Sequence, residues 1–567
     1  MRKTFIFILT TFLVTTVCAQ KAPKWLEKVR KAIITIETVT KDGISKSGNG
    51  FFIHENGEAV SSYDLFGNVE KAVVTTADGE KFQVTQILGA DDLYGVIRFK
   101  VSVKKKAPFL TVAAADPVLN AIVFIPPSKE EKALSQTAIS EITKVKNTYN
   151  YYKMEKPLPK SQESFPLLNE NGEVFALTQA DAAGKGKTYG ISVEYIKSLN
   201  VASMDMLKHT YSEIGIRKAW VPSVDEAQIS LLLYASQQDA PTYLETLNDF
   251  VSTFPNTTEG YVSRASHYAY HRKELSAAEN EQLQMLDLAW EDLDKAEKLT
   301  KNKAEANYDR AKLIFGVVTD DSTLHYKNWN IETASNYLEK AIAAEDHPAY
   351  RHLEGDIAFY NRDYEKAYTS YSIINQSSSA SASSWYLAAK SKEQIPGSNL
   401  MEIITMLDSA FVKSPESEAA AYLLESVDLK MQVGLYEQAV KDYDTYYRLT
   451  RGYVNDGFYY YREQAKFRTN DFEGALKDID MAIAGNPGNA VYHAEKASVF
   501  LRLKDAGKAQ ASAEKAIELQ PDFAPAYRLL GICLIRQEKK AEACPHLEKA
   551  KELGDPVVDK LIKENCN

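Results

Sequence analysis

The stretch AYRLLGICLIRQEKKAEACPHLEKAKEL, residues 526–553, decides the architecture of the C-terminal half. It reads as two helices joined by a turn, with Tyr527, Leu530 and Gly531 on the first and Ala543, Leu547 and Ala550 on the second. Residues three, four and seven apart share one helical face, so these positions line a common seam. The small ones sit where two antiparallel helices must approach closely. Working outward, the residue opening each second helix recurs as Ala367, Ile403, Ala439, Ala475, Ala509 and Ala543, at spacings of 36, 36, 36, 34 and 34. Seven residues after the last five stand Ala410, Tyr446, Ala482, Ala516 and Ala550. Twelve residues on, Pro415, Pro487 and Pro521 stop the helix, since proline cannot continue it.

This unit resembles the tetratricopeptide repeat, a helix–turn–helix of about 34 residues whose copies stack because none buries its apolar face alone. The resemblance covers residues 333–556. Worn copies in 240–269 and 283–299 extend the expected array to residue 225, with a longer connection at 323–330. A repeat solenoid implies protein or peptide partners held on one face. Tyr459, Tyr460, Tyr461 and Arg462 are the expected contact, because aromatic residues and arginine are favoured interface anchors. Four adjacent helical positions cannot all point inward, so about half should be exposed. Residues 557–567 read as a polar capping helix. A disulfide between Cys544 and Cys566 would staple cap to array, with Cys533 a buried small hydrophobe.

The chain has 567 residues, with 45% hydrophobic, 25% charged and a net charge of −10. Both signs are interspersed, and no basic stripe of the kind that neutralises phosphates is present, which argues against nucleic acid. Arg2 and Lys3, the apolar run Phe5 to Val17, and Val17-Cys18-Ala19 form the three-part pattern of a signal peptide, residues 1–19, cut after Ala19. The run is shorter than the roughly 17 residues a membrane crossing needs. Val17 stands where a lipidated Cys18 would need a small residue. The protein is therefore expected to be exported, to a periplasmic or cell-envelope destination, with no transmembrane segment after cleavage.

Residues 20–200 change character. Alternating strand patterns replace the helical period at 32–40, 72–79, 81–89, 95–101 and 120–126, with glycine turns between them. The segments SGNGFFIHENGEAVSSYDLF (47–66), 69–101, ESFPLLNENGEVFALT (163–178) and TYGISVEYIKSL (188–199) together resemble trypsin-like proteases of the high-temperature-requirement type. The resemblance implies an N-terminal all-β trypsin-like double barrel, followed by the all-α repeat solenoid: a multidomain chain with a linker at 201–224. That linker carries Ile214, Ile216, Trp220 and Val221, enough apolar surface to pack.

Acyl transfer of this type needs a serine nucleophile, a histidine base and an orienting carboxylate. The family histidine falls on Asp64 and the family aspartate on Gly95. The family serine falls on Glu163, or on Ser164 with a one-residue slip. The glycines of the oxyanion loop are replaced, with Gln162 and Phe165 in their place. His54 reads as a turn residue and His209 lies past the last strand. Asp64 and Glu163 would come together where a triad once met, raising one pKa or attracting a cation. The resulting expectation is a scaffold or adaptor that is not an enzyme, with a serine endopeptidase working near Ser164 as the alternative. No cofactor and no metal site are expected. Gly184-Lys185-Gly186-Lys187 lacks phosphate-loop spacing, and His267 with His271 reads as two surface histidines.

Overall fold

The structure is a computed structural model that describes residues 23–181, 186–202, 205 and 208–566. The signal segment 1–19 lies outside the described residues, as do Gly184 and Lys185. The chain forms two compact units, Met1–Leu299 and Thr300–Asn567. The division falls inside the stretch 225–556 that reads as one array.

In the first unit, alternation of buried and open side chains builds a closed barrel. Strands β1 (Ile33–Thr40), β2 (Ser45–Phe52), β3 (Glu58–Ser62), β4 (Val69–Thr75), β5 (Lys81–Asp91) and β6 (Val96–Val101) close in the order β1-β2-β3-β6-β5-β4. Ile34, Ile36, Phe52, Phe66, Ile87 and Phe99 fill its interior. The Asn56-Gly57 turn between β2 and β3 needs glycine: φ is 90°, and a Cβ would sit 2.5 Å from the Val101 carbonyl oxygen. A second, seven-stranded sheet follows, from β7 (Ile122–Ile125), β8 (Ser135–Ala138), β9 (Glu141–Val145), β10 (Tyr149–Met154), β11 (Pro166–Leu168), β12 (Val174–Ala180) and β13 (Thr188–Ser192). Its order is β8-β7-β11-β12-β13-β10-β9. Phe51, Val60 and Val96 of the barrel share one apolar cluster with Leu168, Leu177 and Ile191 of the sheet, so the two are joined by a common core.

The linker packs at both ends. Tyr211, Ile214 and Ile216 join the barrel core, while Val221 and Trp220 join a cluster with Leu231, Leu247 and Phe250. Ser223 caps helix Val224–Ala235 by accepting the Glu226 N–H, which explains the break at Pro222-Ser223.

The second unit is built of successive helical hairpins. Helices Pro348–Tyr360 and Tyr364–Asn375, Ala382–Glu393 and Leu400–Lys413, Glu416–Gln432 and Tyr436–Leu449, Asp456–Arg468 and Phe472–Gly485, Ala490–Arg502 and Ala506–Leu519, and Ala524–Arg536 and Lys540–Glu552 form the periodic pairs. All six anchor residues, from Ala367 to Ala543, are at most 2% exposed. The close crossing is visible at Gly531 and Gly355, where a Cβ would meet Leu547 Cδ2 at 2.4 Å and Tyr371 Cε1 at 2.5 Å. Positions equivalent to these two are Gly355, Ser391, Val427, Glu463, Ala497 and Gly531, spaced 36, 36, 36, 34 and 34. The hairpin turns are closed by left-handed residues at Arg362, Gly434, Asn470, Lys504 and Glu538. Helix Val558–Asn565 ends the unit, and Cys544 is disulfide-bonded to Cys566 with Cα atoms 5.6 Å apart.

Candidate functional site

Asp64, Gly95 and Glu163, on which the resemblance places a triad, and the alternative Ser164 line one cleft of about 520 Å³ in the first unit. Strand β3 runs into a single 3₁₀ turn, Tyr63–Leu65, whose Asp64 N–H is accepted by the Ser62 hydroxyl at 3.3 Å. Tyr63 anchors that turn, donating its N–H to the Gly95 carbonyl (3.1 Å) and its hydroxyl to the Thr210 carbonyl (2.9 Å). Gly95 has φ 64° in the β5–β6 connection. Glu163 and Ser164 enter from the turn that leads into β11. Asp92, Tyr94, Tyr151 and Gln179, which the sequence reading did not single out, complete the walls. They come from segments far apart in sequence, and no spacing in the chain marks them.

The turn carrying Ser164 is held from inside. Asn49 Nδ2 donates to the Ser161 and Glu163 carbonyls at 3.4 and 3.2 Å. The buried Thr178 hydroxyl donates to the Gln162 carbonyl (2.7 Å) and accepts the Phe165 N–H (2.8 Å). The remaining N–H groups are committed too: Gln162 to Pro159, Glu163 to Lys160, and Ser164 to Thr178, all onto carbonyl oxygens. Four consecutive backbone donors, at the positions the resemblance sets beside the serine, are thus used within the fold and are not free to face a developing oxyanion. Ser164 itself has φ 61°, is 4% exposed, and its hydroxyl meets the cleft with no partner among the described residues. Burial raises the Glu163 carboxyl above its ordinary range; Lys160 opposes this and Asp64 adds to it.

No histidine lines the cleft. The His54 ring accepts the Asn56 N–H at 3.1 Å and stacks on Phe109, and His209 pairs with Glu213 at 2.9 Å. His267 departs from the surface reading: it is 5% exposed, with Nε2 2.8 Å from the Ala240 carbonyl oxygen. The tight approach of helix Ala240–Thr253 to helix Thr258–Tyr270 draws it in. His271 stays near the surface against Glu274.

In the second unit, the four-residue patch separates into two kinds of position. Tyr461 is 58% exposed and Tyr460 half-buried, but Tyr459 and Arg462 are buried. Arg462 is consumed by a two-pronged ion pair with Asp478 (2.8 and 2.6 Å) and by Asp444 (3.1 Å). Its guanidinium also lies over the Tyr447, Phe458 and Tyr459 rings. It is therefore a packing element between helices, and only the tyrosine end of the patch offers a contact surface. Burial pushes the Cys533 thiol up to about 12, so it is inert. Glu463 is the group the sequence reading missed. It is fully buried at a helix-crossing position, and its Oε1 has no hydrogen-bond partner. The crossing-position spacing was the available signal, since glutamate is foreign to a place held elsewhere by small or apolar residues.

No family model matches the chain. Part of it is similar to a rice (Oryza sativa subsp. japonica) protein SGT1 homolog, 34% identical over 105 residues, which is 18% of this chain and 29% of that protein. Mouse (Mus musculus) serine/threonine-protein phosphatase 5 is 38% identical over 61 residues, 11% of this chain and 12% of the phosphatase. The small glutamine-rich tetratricopeptide repeat-containing protein 2 of Saccharomyces cerevisiae is 30% identical over 95 residues, 17% and 28% of the two chains. The chain spans less than a third of the length of each of these relatives. Among solved structures, an HtrA-type protease, AlgW with tripeptide, aligns at 15% identity and TM-score 0.27, covering 32% of this chain and 62% of that one. Similarity to a tetratricopeptide repeat-containing protein and the six periodic hairpins agree on a helical-repeat array preceded by an all-β portion.

Proposed function

We propose that this chain is an exported protein-binding adaptor, with a helical-repeat array and a protease-like barrel that performs no peptide hydrolysis. The observation that carries the reading is the state of the old catalytic turn. The N–H groups of Gln162, Glu163, Ser164 and Phe165 all donate within the fold, and the cleft is lined by carboxylates where a base histidine would stand. Without those donors and that base, a serine loses both proton removal and charge stabilisation. Export is supported by the N-terminal signal pattern and by the Cys544–Cys566 disulfide, a bond that persists in oxidising compartments. Similarity to a repeat-containing protein supports protein partners for the array. Tyr461 is the contact we assign on it.

One observation favours a second reading, a serine endopeptidase working through Ser164. Its hydroxyl meets the cleft from a left-handed turn, beside two carboxylates. A fluorophosphonate probe and casein separate the two readings. The adaptor reading expects no labelling and no cleavage; labelling that disappears in Ser164→Ala overturns it. Partner binding by the array is read by photo-cross-linking from p-benzoylphenylalanine installed at Tyr461, and an absence of protein adducts would remove the array's part in the adaptor role.

A further inference from the structure

We propose that the cleft between the barrel and the second sheet of the first unit binds a basic side chain of a partner polypeptide, a guanidinium in preference to an ammonium. The proposal rests on the adaptor reading and states what its N-terminal unit recognises. Asp64, Asp92 and Glu163 contribute three carboxylates to the walls, and among the described residues no lysine or arginine lines them. Three lysines stand around the cleft; Lys146 Nζ lies 5.6 Å from the centroid of the Tyr94 ring. Lys46 Nζ donates to the Asp64 backbone carbonyl at 3.1 Å, and Lys160 acts on Glu163 from outside the lining.

An acidic wall alone would only be a solvated surface. Here a second, independent feature asks for a donor: the Ser164 hydroxyl, 4% exposed, meets the cavity without a hydrogen-bond partner. A hydroxyl on so deeply buried a residue, bonded by no group among the described residues, is free to take a donor from a ligand in the cleft. A guanidinium has five N–H donors in a rigid plane and can serve a carboxylate and a hydroxyl together, which a single ammonium does less well. Tyr151 lies in the wall, fixed by stacking on Tyr189 at 5.6 Å, and aromatic faces attract arginine. Burial above all raises the Glu163 carboxyl, with Lys160 opposing and Asp64 adding a little, so a guanidinium bound beside it would favour its charged form. An acidic ligand would face like charge, and a neutral one would leave the carboxylates unpaired, so the same wall rejects both.

The test uses the full-length oxidised chain and fluorescein-labelled nonapeptides of glycine and alanine with one central arginine, lysine or citrulline. Citrulline keeps the shape and removes the charge. Anisotropy titrations should show the arginine peptide binding at least about tenfold more tightly than its citrulline twin, with lysine between them. Glu163→Gln and Asp64→Asn should each bring the arginine peptide down to the citrulline level. Circular dichroism checks the fold, and Asp64, whose side chain is exposed, carries the test if Glu163→Gln unfolds. Equal affinity for the arginine and citrulline peptides, no binding of either at millimolar concentration, or indifference to both substitutions overturns the proposal. Cross-linking from position 461 is run on the same preparations. Adducts there without arginine discrimination would sink the cleft proposal and leave the adaptor reading standing. Discrimination without adducts would uphold the cleft and remove the array's role.

Discussion

Replacing Glu463 by glutamine should stabilise the C-terminal unit, and the gain should grow with pH. Glu463 stands at the crossing of helices Asp456–Arg468 and Phe472–Gly485, fully buried, with Oε2 accepting from Gln464 Nε2 at 2.5 Å and Oε1 unpartnered. Burial first, then the nearby Glu495 and Asp478, push its carboxyl from the ordinary 4.5 up to about 8. The folded-state value is the higher one, so its contribution to stability is complete below pH 4.5 and is lost as pH rises toward 8. At about 1.36 kcal/mol per pH unit, the loss is about 3 kcal/mol at pH 7 and about 5 above pH 8. Glutamine keeps the shape, cannot ionise, and avoids this loss. The assay is hydrogen exchange followed by mass spectrometry on peptides from 456–485 of the full chain at pH 5, 6, 7 and 8, corrected for intrinsic exchange. A local measurement is needed because a chain of two units does not unfold as one transition. Wild type should lose protection relative to Glu463→Gln by about 3 kcal/mol between pH 5 and pH 7.5. Equal protection of the two proteins across that range, or a less stable Glu463→Gln at pH 7, would refute the reasoning.

Three further outcomes follow from the geometry. Thr178→Val strands the Phe165 N–H and the Gln162 carbonyl, both buried around that hydroxyl, and should lower the stability of the first unit by about 2–4 kcal/mol in urea titration. Gly355→Ala sets a methyl against the Tyr371 ring, which is pinned by its hydroxyl to Asp356 at 2.7 Å. Overpacking should outweigh the helix-propensity gain and destabilise by about 1–3 kcal/mol, read as lost exchange protection in 348–375. Cys566→Ser opens a loop of separation 22, which the chain-entropy estimate values at about 3 kcal/mol, so helix Val558–Asn565 should exchange much faster with no effect on the first unit.

The helical half was legible because its constraint is periodic. Each hairpin repeats the same crossing, so Ala475, Ala509 and Ala543 could be found by counting, and each is fully buried. The barrel was legible through alternation in β1 and through the Asn56-Gly57 turn. The cleft was only half legible. Asp64, Gly95, Glu163 and Ser164 follow from segment order, but Asp92, Tyr94, Tyr151 and Gln179 meet them through tertiary folding that no local pattern encodes. Arg462 misled for a related reason. Its role is set by Asp478, sixteen residues on and facing it across the hairpin, and sequence alone does not separate an exposed anchor from a buried ion pair. His267 was drawn inside by neighbouring helices whose approach the worn repeat does not announce.

The closed hydrogen-bonding of residues 162–165 limits what single substitutions can add to this domain. A histidine placed at position 64 would find a hydroxyl within the same cleft, yet attack would create a negative charge facing amides already bonded to Pro159, Lys160 and Thr178. Freeing those amides means undoing Thr178 and Asn49 as well, and each such step alone leaves buried groups unpaired. Every single-residue route to such chemistry therefore crosses a less stable intermediate with no compensating gain in rate. The turn works as a ratchet: selection acting one substitution at a time can refine what the cleft holds far more readily than it can equip the cleft to cut.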